Sequence, residues 1–224
     1  MFLEGVFTDT EGLGDLVVVA VLEDLFGDLK FSGSEKVDQV TYDVTMPFIR
    51  MMAGNVDYTQ GAMRNAVKKD FRDIYSSPMS QGTRCHQLAT YIVFDSPLVM
   101  LCDAPTAYRK EPECTRFIAG LPVVADETRI LQGKMGEYIV TARRVGEDWI
   151  VGGLTDWEAR TVDLDLSFLP EGMFRAEIFC DGINADKKGE DYRHEYRDVK
   201  REDRLKMQLA PGGGFAIRLK KNHN

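Results

Sequence analysis

The sequence predicts an α+β fold, with helices and a few strands over residues 1–121 and an antiparallel β-sandwich over residues 122–224. Three observations predict it. Apolar residues recur with helical spacing in "TRCHQLATYIVF", they alternate in steps of two through the second part, and that second part keeps no helical stretch to serve as a crossover between parallel strands. With 224 residues, 44% of them hydrophobic, the chain has the material for a buried core.

Taken in order, the first apolar run is "LVVVAVL", Leu16 to Leu22, between Asp15 and Glu23. It is too short to span a bilayer, and its flanks lack the basic segment and small-residue cleavage site of a signal peptide, so neither a membrane partner nor an export signal is expected. "DVTMPFIRMMAG" reads as a strand or short helix entering a turn at Gly54, since Pro47 interrupts any long helix. A helix follows in which Cys85, Leu88, Ala89, Ile92 and Val93 form one apolar stripe, with Thr83 as N-cap and Pro97 as the stop after Ser96. Beyond residue 121, "GEYIVTARR" and "DWIVGGLTD" flank a "VGED" turn, a β-hairpin from Gly136 to Asp156. In "TVDLDLSFL", Val162, Leu164, Leu166 and Phe168 alternate with polar residues, a strand with one wet face. "MFRAEIFCDG" makes another. The chain closes on "RLKMQLAPGGGFAIRLK", read as a hairpin in which Leu205, Met207 and Leu209 are answered by Phe215, Ile217 and Leu219 across an "APGGG" turn. About six strands result.

Composition excludes several functions. A net charge of −8 repels phosphate backbones, and the basic runs Lys68-Lys69, Arg143-Arg144 and Lys220-Lys221 are only dipeptides, so no nucleic-acid partner is expected. Four cysteines without a C-x-x-C pair and three histidines give zinc no framework, and the thiols read as buried and free. No nucleophile elbow, P-loop, dinucleotide fingerprint or H-E-x-x-H occurs, and "GGG" at 212–214 reads as a turn. Among 36 carboxylates, Glu4, Asp43 and Asp57 stand out because each lies beside an apolar run and a turn signal. A strand end there could lift a carboxylate into a pocket, the competing reading being an exposed or capping side chain. His86, in the apolar helix without a Ser or Cys partner at fixed spacing, is expected to donate to a nearby carbonyl. Trp149 and Trp157 are candidates for sugar stacking or for core anchors.

The run "VTYDVTMPFIRMMAGNVDYTQGAMRNA", then "SQGTRCHQLATYIVFDSPLVMLCDAPTAY", "VVADETRILQGKMGEYIVTARRVGEDWIVGGLTDWEARTVDLDLSFL", "AEIFCDGINAD" and "LAPGGGFAIRL", resembles glycoside hydrolase family 97, the α-glucosidases and α-galactosidases of gut Bacteroidota. The likeness covers residues 37 to 220, whereas "LGDLVVVAVLEDLFGDLKFSGSE", between Gly12 and Lys36, departs from the family's pattern. By that resemblance residues 1–121 are the C-terminal part of a catalytic (β/α)8 barrel, and residues 122–224 are a C-terminal β-sandwich of the oligomerisation type.

The resemblance also implies a chemistry. Family members use carboxylates at the barrel's strand ends, with calcium held by glutamates beside the sugar. Retaining members add an aspartate nucleophile and inverting members a glutamate base. Glu4, in "LEGV", matches a glutamate that binds calcium and, in inverting members, helps activate water. Asp43, in "YDVTMPF", falls near the acid carboxylate, while Asp57 and Tyr58 read as part of the last barrel strand, shaping a rim or locking a turn. A retaining nucleophile would lie on an upstream strand. The expected function is therefore the C-terminal piece of a calcium-dependent glycosidase acting on α-linked oligosaccharides, periplasmic in full length and inactive alone. The alternative is a non-catalytic sandwich for assembly or weak carbohydrate contact, and uncovered strand edges point to self-association.

Overall fold

The computed structural model describes residues 38–56, 58–60, 62–74, 78–97 and 99–222. Glu4, Asp57 and the atypical segment after Gly12 lie outside them. The unit Asp38–Asn224 begins with two short helices, α1 (Gln39–Asp43) and α2 (Met46–Ile49), and a 3-10 turn over Arg50–Ala53 that ends at Gly54. Pro47 stands in the first turn of α2, where its missing N–H costs nothing. Strand β1 (Tyr58–Gln60) pairs in parallel with β4 (Val99–Leu101), and the helix α3 (Arg84–Val93) lies between them in sequence. That is one βαβ unit. A second, two-residue parallel pair joins β2 (Asn65–Ala66) to β3 (Ser80–Gln81). Helices α4 (Pro105–Lys110) and α5 (Pro112–Ala119) lead into the strands. Among the described residues no closed barrel is present. The fold is mainly β with few helices.

Eight strands follow: β5 (Glu127–Lys134), β6 (Tyr138–Val145), β7 (Asp148–Thr155), β8 (Arg160–Asp165), β9 (Met173–Asp181), β10 (Tyr192–Lys200), β11 (Arg204–Leu209) and β12 (Gly214–Lys221). Six of them form an antiparallel sheet in the order β10-β9-β12-β7-β6-β5, and β11 and β8 form a separate pair. Alternation explains how one sheet serves two cores. Val151, Ile217 and Phe215 point to the β8–β11 layer and pack with Val162, Leu164, Leu205 and Met207. Their neighbours Ile150, Ala216 and Phe179 point to the opposite face, where they meet Cys85, Leu88 and Ile92 of α3. Gly152 marks the closest approach of helix and sheet, since a Cβ there would sit 2.9 Å from the Ala89 carbonyl oxygen. Trp149 is a core residue, edge-on to Phe168 with ring centroids 5.1 Å apart.

Two expectations need correction. The final segment is not a hairpin: β11 pairs with β8 while β12 pairs with β7 and β9, so "APGGG" carries the chain from one sheet to the other. The apolar alternation of both segments fits, because both face the same core from opposite sides. The thiols are free, but only Cys85, Cys114 and Cys180 are buried, whereas Cys102 is exposed.

Candidate functional site

Asp43, Thr83 and His86, three of the residues singled out in the sequence, lie where the first turn of α3 meets the "GGG" connection and the end of α1. Thr83 caps α3, accepting from the His86 N–H at 3.1 Å. The free N–H groups of that helix end are taken up by the second half of the chain: Thr83 N–H donates to Gly212 O at 2.9 Å and Arg84 N–H to Gly189 O at 2.6 Å. Arg84 is wholly buried and reaches Asn65, the Met63 carbonyl and, at 3.1 Å, Glu111.

His86, also wholly buried, lies between two oxygens. Its Nδ1 is 3.1 Å from Gly213 O and its Nε2 3.1 Å from Asp43 Oδ2. The carbonyl contact is the one expected from the sequence, while the carboxylate contact spans 43 positions and no spacing rule reveals it. Asp43 has no exposed surface. Its Oδ1 accepts from the Tyr58 hydroxyl at 2.8 Å and from Gln39 Nε2 at 3.0 Å, and Gln39 also reaches the Tyr58 hydroxyl. Burial first, and then the charge of Asp43, hold the Tyr58 phenol well above its ordinary range. Tyr58 itself stands edge-on to Phe94, with centroids 4.6 Å apart.

Asp181, at the end of β9, extends the cluster from the other side. Its Oδ2 accepts from the N–H groups of Ala210 and Gly214 at 2.9 and 3.0 Å, bracing both ends of the "GGG" connection. The Thr83 hydroxyl is near enough to pull its pKa down, yet Oδ1 is left without a hydrogen-bond partner. Burial is the larger effect and raises the carboxyl to about 6, against the donors and the charge of His86. Gly212 takes a positive φ of 67° here, a conformation that favours glycine, and Gly213 faces the Asp181 carboxylate with no room for a side chain.

This arrangement holds no nucleophile beside the imidazole and admits no substrate, because both carboxylate oxygens of Asp43 are engaged and sealed. Its chemistry is that of a clamp, joining α1, β1, α3 and the inter-sheet connection. Of the three carboxylates picked from the sequence, Asp43 is placed in this cluster, while Glu4 and Asp57 lie outside the described residues. Among the described residues no three His, Cys, Asp or Glu side chains converge as metal ligands. No helix among them is long and apolar enough to cross a membrane.

Comparison with known proteins adds the family. The family model described as "Glycosyl-hydrolase 97 C-terminal, oligomerisation" matches residues 124–220, nearly the span of the eight strands. A retaining α-galactosidase of Bacteroides thetaiotaomicron is 58% identical over 187 residues, which is 84% of this chain and 28% of the relative. A probable retaining α-galactosidase of Streptomyces bingchenggensis is 28% identical over 186 residues, 83% of this chain and 27% of that protein. Among solved structures, a family 97 enzyme from Pseudoalteromonas sp. strain K8 in complex with panose superposes with a TM-score of 0.72 at 32% identity, over 82% of this chain and 29% of its own. The chain thus spans less than a third of the length of these relatives. The family model, the 58% identity and the superposition agree: the chain belongs to glycoside hydrolase family 97 and carries its C-terminal portion.

Proposed function

We propose that the chain is part of a retaining α-galactosidase, in which the residues described here brace the catalytic machinery rather than perform the chemistry. The 58% identity to a retaining α-galactosidase carries this reading and favours galactosides over glucosides. The sealed geometry of Asp43 supports the second half of it: a carboxylic acid must reach the departing oxygen of a sugar, and Asp43 is committed to His86, Tyr58 and Gln39. Calcium is proposed only by family resemblance. Among the described residues no three carboxylates, histidines or cysteines converge to hold it, and Glu4, the ligand that the resemblance implies, lies outside them. The isolated chain is expected to turn over neither aryl α-galactoside nor aryl α-glucoside, with or without added calcium. Calcium-stimulated release of the aryl group would overturn this.

A second reading, assembly, has its own observation. The matched family model is described as an oligomerisation domain, and among the described residues β5 leaves one sheet edge unpaired, with Ile130 about half exposed and Val124 before it largely exposed. The other edge, β10, is guarded by Arg193, Glu195, Arg197 and Asp198. Light scattering at high protein concentration is expected to return a multiple of the 25.3 kDa chain mass, and a strict monomer counts against assembly.

A further inference from the structure

A cleft of about 210 Å³ opens between residues 67–69 and the loops of the sheet, lined by Val67, Lys68, Lys69, Trp157, Asp186 and Pro211. We propose that it binds one neutral pyranose ring, with Trp157 as the stacking wall and Asp186 and Lys69 as the hydroxyl-reading groups.

The wall is set before any ligand arrives. The Trp157 indole N–H donates to Asp38 Oδ1 at 2.7 Å, and Asp38 is itself fixed as the cap of α1 by the Thr41 N–H at 3.1 Å. On the other side Gly212 lies so near the indole that a Cβ would come within 2.6 Å of the ring. Little ordering remains to be done on binding, which is where a small ligand otherwise loses most of its affinity. Lys68 already rides over the indole, its ammonium 5.3 Å from the ring centroid, so the face attracts positively polarised groups. The axial C–H bonds of a pyranose present the same polarity to an aromatic face. Lys68 is 66% exposed and its ion pair with Asp38 is long, at 3.4 Å, a contact that yields at small cost.

Charge and size choose the ligand class. Around the cleft Lys68 and Lys69 are balanced by Asp38 and Asp186, so no excess field favours an anion. Among the described residues neither the Lys69 ammonium nor the Asp186 carboxylate has a partner. A carboxylate accepts from hydroxyls and an ammonium donates to them, which together match a group that does both. The volume is below the usual range for drug-sized ligands, about 300–1,000 Å³, and suits a single ring rather than an extended chain.

The test uses the whole chain with ¹⁵N-labelled tryptophan, which gives two indole signals, assigned with Trp157→Phe. Titration with methyl α-D-galactopyranoside or methyl α-D-glucopyranoside is expected to shift the Trp157 signal saturably, with a dissociation constant on the order of 1–10 mM. The buried Trp149 signal stays still and reports that the fold is intact. Asp186→Asn and Lys69→Ala, both at exposed positions, are each expected to weaken binding about fivefold or more while leaving Trp149 unmoved. A Trp157 signal that fails to move up to about 50 mM of either glycoside overturns the proposal, as does binding unchanged in both variants. A response to glucuronate alone overturns the neutral-ligand assignment. The readout involves no hydrolysis, so the outcome is independent of whether the chain serves a hydrolase.

Discussion

Asp43→Ala lowers the unfolding free energy of the chain by about 3–5 kcal/mol, because several buried polar groups lose their common partner at once. Alanine leaves His86 Nε2, the Tyr58 hydroxyl and the Gln39 amide facing a space sealed from water, and each unmatched group costs on the order of 1–3 kcal/mol. Asp43→Asn behaves differently. Its carbonyl oxygen accepts from Tyr58 and Gln39, its amide donates to Nε2 of a neutral imidazole, and the Nδ1–H keeps its bond to Gly213 O. Every group that Asp43 met keeps a partner, so the expected loss is only about 1 kcal/mol. Urea unfolding followed by the fluorescence of Trp149 and Trp157 separates the two variants. Equal, small losses for both would show that the cluster does not clamp the fold.

The clamp was out of reach of the sequence for a physical reason. Asp43, His86 and Gly213 meet across 43 and 127 positions, and nothing in local periodicity encodes such a meeting. What was legible followed short-range rules: the hairpin β6–β7, with Tyr138 opposite Thr155, was visible in its alternation and its turn, and Thr83 caps α3 as its side chain dictates. Strands β5 and β10 went unseen because they are sheet edges. Their faces are largely exposed, so they carry charged and polar residues instead of a buried alternation. The last two strands show the limit most clearly. Alternation told that Met207 and Ile217 face a core, but which sheet each strand joins depends on Asp181 gripping Ala210 and Gly214 from β9. The stripe on α3 was likewise visible, yet the helix is buried on every side, because Arg84 and His86 find partners in distant segments.

That grip leads to the second large effect, expected from Asp181→Asn. The folded chain raises this carboxyl from 3.8 to about 6, so between those values the folded state binds more protons than the unfolded one. Stability contributed by the group is therefore fully present below about pH 4 and is lost as pH rises through 6. A shift of roughly two pKa units corresponds to about 3 kcal/mol, all of it lost at neutral pH, where a sealed carboxylate must stay ionised. Asparagine has no charge to bury. Its carbonyl oxygen keeps the N–H groups of Ala210 and Gly214, and its amide meets the Thr83 hydroxyl, where Oδ1 has no aligned donor. The variant is expected to gain about 1–3 kcal/mol at pH 7 and to match the parent near pH 4. Urea unfolding of both chains at several pH values between 4 and 7 isolates the group, because every other titration cancels in the difference. A difference that stays constant with pH, or a variant weaker at pH 7, would mean that Asp181 is held ionised without cost and that the connection between the sheets is braced by its charge.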